Sequence, residues 1–376
     1  MSEGKSRTRL WFLWHSWLAM PIWAFLFFVC LTGSVAVLSH EIMWLANPAM
    51  RATASGPALP VKALVAAAET AVPGGRVTSV SWGGSHMAVA VRMARPDGVD
   101  ATAWVDPATA AVQGVSTGTS FQGFFRALHG WLLVYPAGWY AVSLLGVPLL
   151  GSLVTGLVVY KRFWRAFFQP RIRFASGARV MWGDLHRVGG VWSIWFLTLM
   201  AVTGLWFFVN TLLWNIGVPL GGRPPVVVAR ETLPAADIAP RPDPGRVLDS
   251  ALAAVPGMRL RALHLPAVAF EPALVTGSGG QAPLLPDYVR VNPHTGVVME
   301  VSGGFDRPPM QVTGTIMRAL HTGDFGGLPV KLVWFAFGLL LTALVFSGMV
   351  IWSKRTLKAT IDWRRARTAG GETSHA

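Results

Sequence analysis

Four uninterrupted apolar runs constrain this chain more than any other feature. Trp17–Leu38, Trp139–Tyr160, Val191–Leu213 and Val333–Trp352 contain no Lys, Arg, Asp or Glu. Each is long enough to cross a hydrocarbon core of about 30 Å, which takes about 20 helical residues. In lipid, backbone N–H and C=O groups have no water to bond, so such runs fold as spanning helices. Composition agrees: 52% of residues are hydrophobic and 13% charged, too few charges for the surface of a soluble chain of this size. The first run is longer than the apolar core of a signal peptide and resembles the third, so it reads as a helix of the folded protein. The single cysteine, Cys30, lies inside it, and the outer segments are expected to fold without intramolecular disulfides.

The net charge of +14 would suit a nucleic-acid partner, but its distribution argues against one. Lys5, Arg7 and Arg9 precede the first run. Lys161, Arg162, Arg165, Arg171, Arg173, Arg179 and Arg187 lie between the second and third, and Lys354, Arg355, Lys358, Arg364, Arg365 and Arg367 follow the fourth. The acids in these segments are Glu3, Asp184, Asp362 and Glu372, so nearly all the excess charge sits there. Short basic segments beside spans mark the cytoplasmic side. Both termini and the short middle loop are therefore expected in the cytoplasm, both long loops outside, and the basic face against anionic lipid headgroups.

The two halves of the chain align as a repeat. Arg126-Ala127-Leu128-His129 precedes the second run and Arg318-Ala319-Leu320-His321 the fourth. A hydroxyl residue and a glycine recur in every run: Thr32-Gly33, Thr155-Gly156, Thr203-Gly204 and Ser347-Gly348. His15 to Gly33 and His186 to Gly204 are each 18 residues, and His129 to Gly156 and His321 to Gly348 are each 27. Eighteen residues is five helical turns, so His15 and Gly33 are expected on one helix face, as are His186 and Gly204. The 27-residue spacing gives no such match, and the Tyr-Pro and Gly-Leu-Pro segments near 135 and 329 are expected to break those helices.

The long loops repeat as well. Val61–Ala71 and Gly245–Ala254 read as short helices followed by β-rich sequence. Trp104-Val-Asp-Pro-Ala-Thr-Ala-Ala-Val and Arg290-Val-Asn-Pro-His-Thr-Gly-Val-Val each read as strand, Pro-centred turn, strand. Two small outer α+β domains are expected, with residues 221–244, rich in Pro and Arg, as a linker. The expected order is a first span within 1–45, an outer domain at 46–121, a second span within 122–165, a cytoplasmic loop at 166–181, a third span within 182–216, a second outer domain at 217–312, a fourth span within 313–355 and a tail at 356–376.

The repeat places His15 and His186 at one depth, near the cytoplasmic starts of spans one and three. His129 and His321 fall at another depth, at the outer starts of spans two and four. Ionisable residues at membrane depth are costly and usually functional, and two neutral imidazoles facing each other across a bundle are axial ligands for a b-type haem. Two haems are expected, an inner one on His15 and His186 and an outer one on His129 and His321. His40, just after the first span, is a further candidate ligand. The [Thr/Ser]-Gly pairs also suit helix packing. On helical rise alone the two sites are about 20–30 Å apart, a gap that Trp195 or Trp334 would have to shorten. His86, His264, His294 and His375 are weak candidates, and no acid–base residue is nominated. No Cys-x-x-Cys, His-x-x-x-His, phosphate-binding loop or nucleophile elbow occurs, which disfavours a zinc, nucleotide or hydrolase site.

Trp14-His15-Ser16-Trp17, the two Arg-Ala-Leu-His motifs, Asp184-Leu185-His186-Arg187 and the Asp-Pro and Asn-Pro turns together resemble the PepSY-associated transmembrane family over nearly the whole chain. The resemblance implies PepSY-like periplasmic domains and a place in the bacterial inner membrane. The family includes ferrisiderophore reductases with b-type haems, which implies electron transfer to a periplasmic ferric siderophore. The chain lacks the flavin-binding domain that some members carry, so the donor would be a membrane quinol or a separate cytoplasmic reductase. Two other readings stand beside this one. A non-haem binding or regulatory protein would be colourless, and an iron or siderophore transporter would need a polar path that these spans scarcely offer.

Overall fold

A computed structural model of the protein describes residues 2–160, 163–218, 225–233, 242–278 and 284–372. Half of the expected 221–244 linker, and His375, lie outside the described residues. The first half runs α1 (Ser2–Ala19), α2 (Trp23–Val37), α3 (Ser39–Ala46) and α4 (Val61–Ala71), then β1 (Arg76–Ser81), β2 (Val89–Ala94), β3 (Asp100–Val105) and β4 (Val112–Thr117), then α5 (Phe121–Trp131), α6 (Ala137–Leu144) and α7 (Gly146–Val159). The second runs α8 (Phe163–Phe168), α9 (Ala178–Trp192), α10 (Ile194–Asn215) and α11 (Pro244–Ala254), then β5 (Arg259–His264), β6 (Ala273–Ser278), β7 (Asp287–Val291) and β8 (Val298–Ser302), then α12 (Pro309–Thr322) and α13 (Gly327–Glu372). The chain divides into two compact units, one of 1–38, 125–215 and 320–376, the other of 39–124 and 216–319.

The first unit holds four stretches long and apolar enough to cross a membrane: Leu10–Val37, Ala137–Val159, Ile194–Asn215 and Gly327–Lys354. The chain is a membrane protein. The first stretch starts earlier than its apolar run, because α1 carries Trp11, Phe12, Leu13 and Trp14 ahead of His15. Phe28, Leu31, Val154, Val202, Val209 and Leu339 keep much of their surface uncovered, as side chains facing lipid do.

A break falls within the first stretch and just ahead of the second and the fourth, while the third, Ile194–Asn215, is one continuous helix. Pro21 sits in the 3₁₀ turn Met20–Ile22 between α1 and α2, where its missing N–H breaks the ladder. Segment 132–136 separates α5 from α6, with Leu132 and Leu133 at positive φ. Gly323 and Gly327, both at positive φ, bracket the turn between α12 and α13, a conformation glycine adopts at little cost. The break expected near 135 is present, while the one expected near 329 falls earlier, between Thr322 and Gly327, with Pro329 in the first turn of α13. Small residues let the helices approach closely. A Cβ on Gly338 of α13 would lie 2.6 Å from Ser34 Oγ of α2, and one on Gly146 would lie 2.9 Å from the Leu205 nitrogen of α10.

The second unit is an antiparallel sheet of eight strands in the order β4-β3-β2-β1-β5-β6-β7-β8. Sequence alone suggested two small domains. The halves are instead joined edge to edge, with Ser79, Val80 and Ser81 of β1 opposite His264, Leu263 and Ala262 of β5. A single hydrophobic core runs across the join. Leu64, Val65 and Ala68 of α4 and Val247, Leu248 and Ala251 of α11 cover Val80, Val91, Ala103, Leu263, Val275 and Val289 of the strands. Pairing the two inner edges removes two open strand edges that separate domains would leave exposed.

The Pro-centred turns hold the outer hairpins. Asp106, fully buried between β3 and β4, accepts hydrogen bonds from the backbone of Thr53 (2.7 Å), Ala54, Ala108 and Thr109 and from the Thr53 and Thr109 hydroxyls. Burial would raise its pKa. These donors, led by the Thr53 backbone N–H, outweigh burial and hold the carboxyl well below the usual range. In the second half Asn292 does the same work, accepting from the backbone of His294 and Thr295 and donating to Thr232 Oγ1.

Candidate functional site

The membrane unit brings the four repeat-related histidines together in two pairs. The rings of His15 and His186 have centroids 6.2 Å apart, and those of His129 and His321 are 6.1 Å apart. Each pair takes one ring from each half of the chain. His40 lies in α3 of the other unit, half-buried. His86 packs edge-on to Trp44, and the His264 pKa is lowered by burial and then by Arg92. Both also lie in the sheet unit.

Each ring is seated on a neighbouring helix at the [Thr/Ser]-Gly region. His15 Nδ1 lies 3.0 Å from both the Ser152 carbonyl and Thr155 Oγ1 of α7. His129 Nδ1 lies 3.0 Å from the Val29 carbonyl of α2. His186 Nδ1 lies 2.9 Å from Ser347 Oγ of α13, and His321 Nδ1 lies 2.8 Å from Thr203 Oγ1 of α10. The hydroxyl protons are already committed. Thr155 donates to Gly151, Thr203 to Leu199 and Ser347 to Leu344, so their oxygens accept from the rings. Every partner is thus an acceptor, which assigns the proton to Nδ1 in all four rings and leaves the lone pair on Nε2.

Three of the four glycines serve as platforms. A Cβ on Gly33 would stand 2.7 Å from His129 Cε1; on Gly156, 3.4 Å from His15 Cε1; on Gly348, 3.4 Å from His186 Cε1. The expected same-helix relation of histidine and glycine is not what the fold uses. Five turns put Gly33 about 27 Å along the axis from His15, so each glycine serves the pair at the far end of its own helix. Gly204 differs: it faces the Gly146 backbone and closes the α7–α10 contact. Its neighbour Thr203 still holds His321.

Two charged clusters adjoin the pairs. Asp184, buried two residues before His186, accepts from Arg173 Nε and Nη2 (both 2.9 Å) and from Arg187 Nη2 (2.8 Å). Asp324, three residues after His321, binds Arg126 at 3.5 Å and Lys331 at 3.3 Å. His186 and Thr203 are 17 residues apart on α9 and α10, so the pairs are about 25 Å apart along the helices. At intermediate depth, Trp195 and Phe196 of α10 meet Trp334 and Phe337 of α13, with Trp195 4.6 Å from Phe337 and 5.8 Å from Trp334. Trp334 Nε1 donates to the Leu320 carbonyl, beside His321.

This arrangement lies within a single family match, to the PepSY-associated TM region over residues 12–355. The chain belongs to that family. No curated protein matches it significantly. In this PepSY-associated protein, sequence reasoning found the four paired histidines and missed what holds them. The hydroxyls of Thr155, Thr203 and Ser347 were the available signal for three of the rings, since a recurring hydroxyl beside a recurring glycine marks an acceptor as well as a small surface; His129 takes the Val29 carbonyl instead. The Asp184 and Asp324 clusters had no sequence signal beyond their nearness to histidines.

Two imidazoles bound on opposite sides of one metal ion, each at about 2 Å, have ring centres about 6 Å apart. Both pairs have that separation, and their tautomers present Nε2, the nitrogen that ligates. Among the described residues no group of three or more His, Cys, Asp or Glu is placed to hold a bare metal ion. Two imidazoles per site therefore suit a metal whose remaining ligands come from a planar macrocycle, and the glycine platforms keep the helices close on either side.

Proposed function

We propose that this protein is an inner-membrane reductase with two haem b groups, one on His15 and His186 and the other on His129 and His321. In this reading it passes electrons across the membrane to a ferric siderophore in the periplasm. The observation that carries the proposal is the pair of imidazole–imidazole separations, 6.2 and 6.1 Å, with every Nδ1 anchored to an acceptor. When bound, haem b would supply a one-electron carrier at each pair. The chain's own residues fix the tautomers of the rings and hold their planes against the neighbouring helices. The basic segments next to the His15–His186 end support a cytoplasmic placement of that end and of both termini. The sheet unit then faces the periplasm.

A ferric siderophore is bulky and polar and stays out of the hydrocarbon core, so its reduction belongs at the His129–His321 end. Hard oxygen donors matched to Fe(III) hold Fe(II) less well, so reduction releases the metal for uptake without an acid–base residue. The electron donor is a quinol or a cytoplasmic reductase. The test is the visible spectrum of the detergent-purified protein, oxidised and reduced, with haem quantified as the pyridine haemochrome. Low-spin b-type bands at about two haems per chain are expected, falling in His15→Ala, His129→Ala, His186→Ala and His321→Ala. Ferric siderophore added to the reduced protein should reoxidise it. A colourless protein from haem-replete cells would overturn the proposal.

A further inference from the structure

We infer that the cations beside each histidine pair are carboxylate sites, placed to receive the propionate groups of a porphyrin; the inference rests on the haem reading above. Three observations carry it. First, each pair is flanked by one carboxylate shared between two cations, Asp184 between Arg173 and Arg187 and Asp324 between Arg126 and Lys331. At the first site Arg173 and Arg187 together outweigh the one carboxylate, next to a membrane interior where an uncompensated charge is costly.

Second, Arg187 keeps an unmet donor. Its Nη2 is taken by Asp184 Oδ1 at 2.8 Å, while its Nε is buried with no hydrogen-bond partner. A buried guanidinium N–H left unsatisfied is expensive, and a carboxylate is the acceptor that a guanidinium fork fits.

Third, Arg187 lies against the helix that supports the pair. Its guanidinium lies 5.7 Å from the centre of the Tyr160 ring. Tyr160 is one turn beyond Gly156, the platform under His15, so the cation sits about one turn from the paired imidazoles on the α7 side. At the other pair Arg126 lies one turn ahead of His129 on α5. These cations would hold the two carboxylates of a porphyrin bound by the pair beside them.

The test compares hemin with hemin dimethyl ester, which presents the same ring and iron without the carboxylates. Apoprotein is made in a haem-deficient host, and a His321→Ala background confines binding to the His15–His186 pair. Affinity is read from the Soret band on titration. Wild-type Arg187 should bind hemin about tenfold or more tightly than the ester, the size of a charge-assisted hydrogen bond. Arg187→Met should weaken hemin to the level of the ester and leave the ester unchanged. Arg187→Lys, which keeps the charge but not the fork, should fall between. A general loss of structure would weaken both compounds together, so the ratio separates recognition from folding. At the other pair the corresponding variant is Arg126→Met in a His15→Ala background. Equal affinity for the two compounds with Arg187 intact overturns this inference alone. Failure of both to bind overturns it together with the haem reading.

Discussion

Adding one methyl group at Gly33 tests whether the histidine platforms are as tight as the geometry states. A Cβ there would stand 2.7 Å from His129 Cε1 and 2.9 Å from Nδ1, whereas carbon atoms settle at about 3.5–4 Å. The imidazole must retreat by about 1 Å, and the 3.0 Å bond from Nδ1 to the Val29 carbonyl is lost. Overpacking costs about 1–3 kcal/mol and the lost hydrogen bond about 0.5–1.5 kcal/mol. The helical preference of Ala over Gly returns about 1 kcal/mol. Gly33→Ala should therefore destabilise the membrane unit by about 1–3 kcal/mol. It should also lower ligand affinity at the His129–His321 pair about 10- to 100-fold, the usual cost of disturbing a ligand's support. Gly156→Ala and Gly348→Ala bring a Cβ only to 3.4 Å, so the helical gain offsets most of the crowding. Gly204→Ala approaches the Gly146 backbone at 3.7 Å and touches no imidazole. Thermal unfolding in detergent, followed by tryptophan fluorescence, gives the stabilities, and haemochrome quantification gives the occupancy. Gly33→Ala matching wild type in both, or Gly156→Ala proving the more damaging, would refute the platform argument.

Other outcomes follow from the same contacts. Thr203→Val removes the acceptor of His321 Nδ1 while keeping the volume. It should weaken haem binding about 10- to 100-fold at that pair alone, as measured by redox titration resolving two components. Ser347→Ala should do the same at the His15–His186 pair. Asp106→Ala leaves buried backbone donors unmet at Thr53, Ala54, Ala108 and Thr109 and should cost the sheet unit at least about 2 kcal/mol, read from thermal unfolding. Because the folded Asp106 carboxyl is held below its unfolded value of about 3.9, its contribution is complete above that pH. It is lost as pH falls toward the folded value, so the difference between wild type and Asp106→Ala should shrink on acidification.

The spans were legible because a lipid interior leaves a chain few alternatives, and four charge-free runs admit little else. The pairing of His15 with His186 and of His129 with His321 was legible because repeat-related residues occupy equivalent depths. Which helix supports which ring was not. A spacing of 18 residues is equally compatible with a glycine serving its own helix's histidine or one a membrane-width away, and only the packing of α1 against α7 and of α9 against α13 decides. The fused sheet was hidden for a related reason. β-rich sequence could be read in each loop, but nothing local specifies that Arg76–Ser81 pairs with Arg259–His264 across more than 170 residues. Arg187 is one residue from a motif already noted, yet its unmet Nε depends on Asp184 taking only one side of the guanidinium.

The way the two halves share the ring pairs bears on how the protein is built in the cell. Every imidazole is cradled by a helix of its own half: His15 by α7, His129 by α2, His186 by α13 and His321 by α10. Every pair, by contrast, needs one imidazole from each half. An emerging N-terminal half can thus set both of its rings as soon as α7 is inserted, and then waits. The His15–His186 pair waits for α9 and gains its second support only with α13, the His129–His321 pair waits for α12, and the sheet joins its halves only once β5 is made. Synthesised as two separate polypeptides, the halves would each be membrane-competent and ligand-free, and a bound ligand would act as the rivet between them.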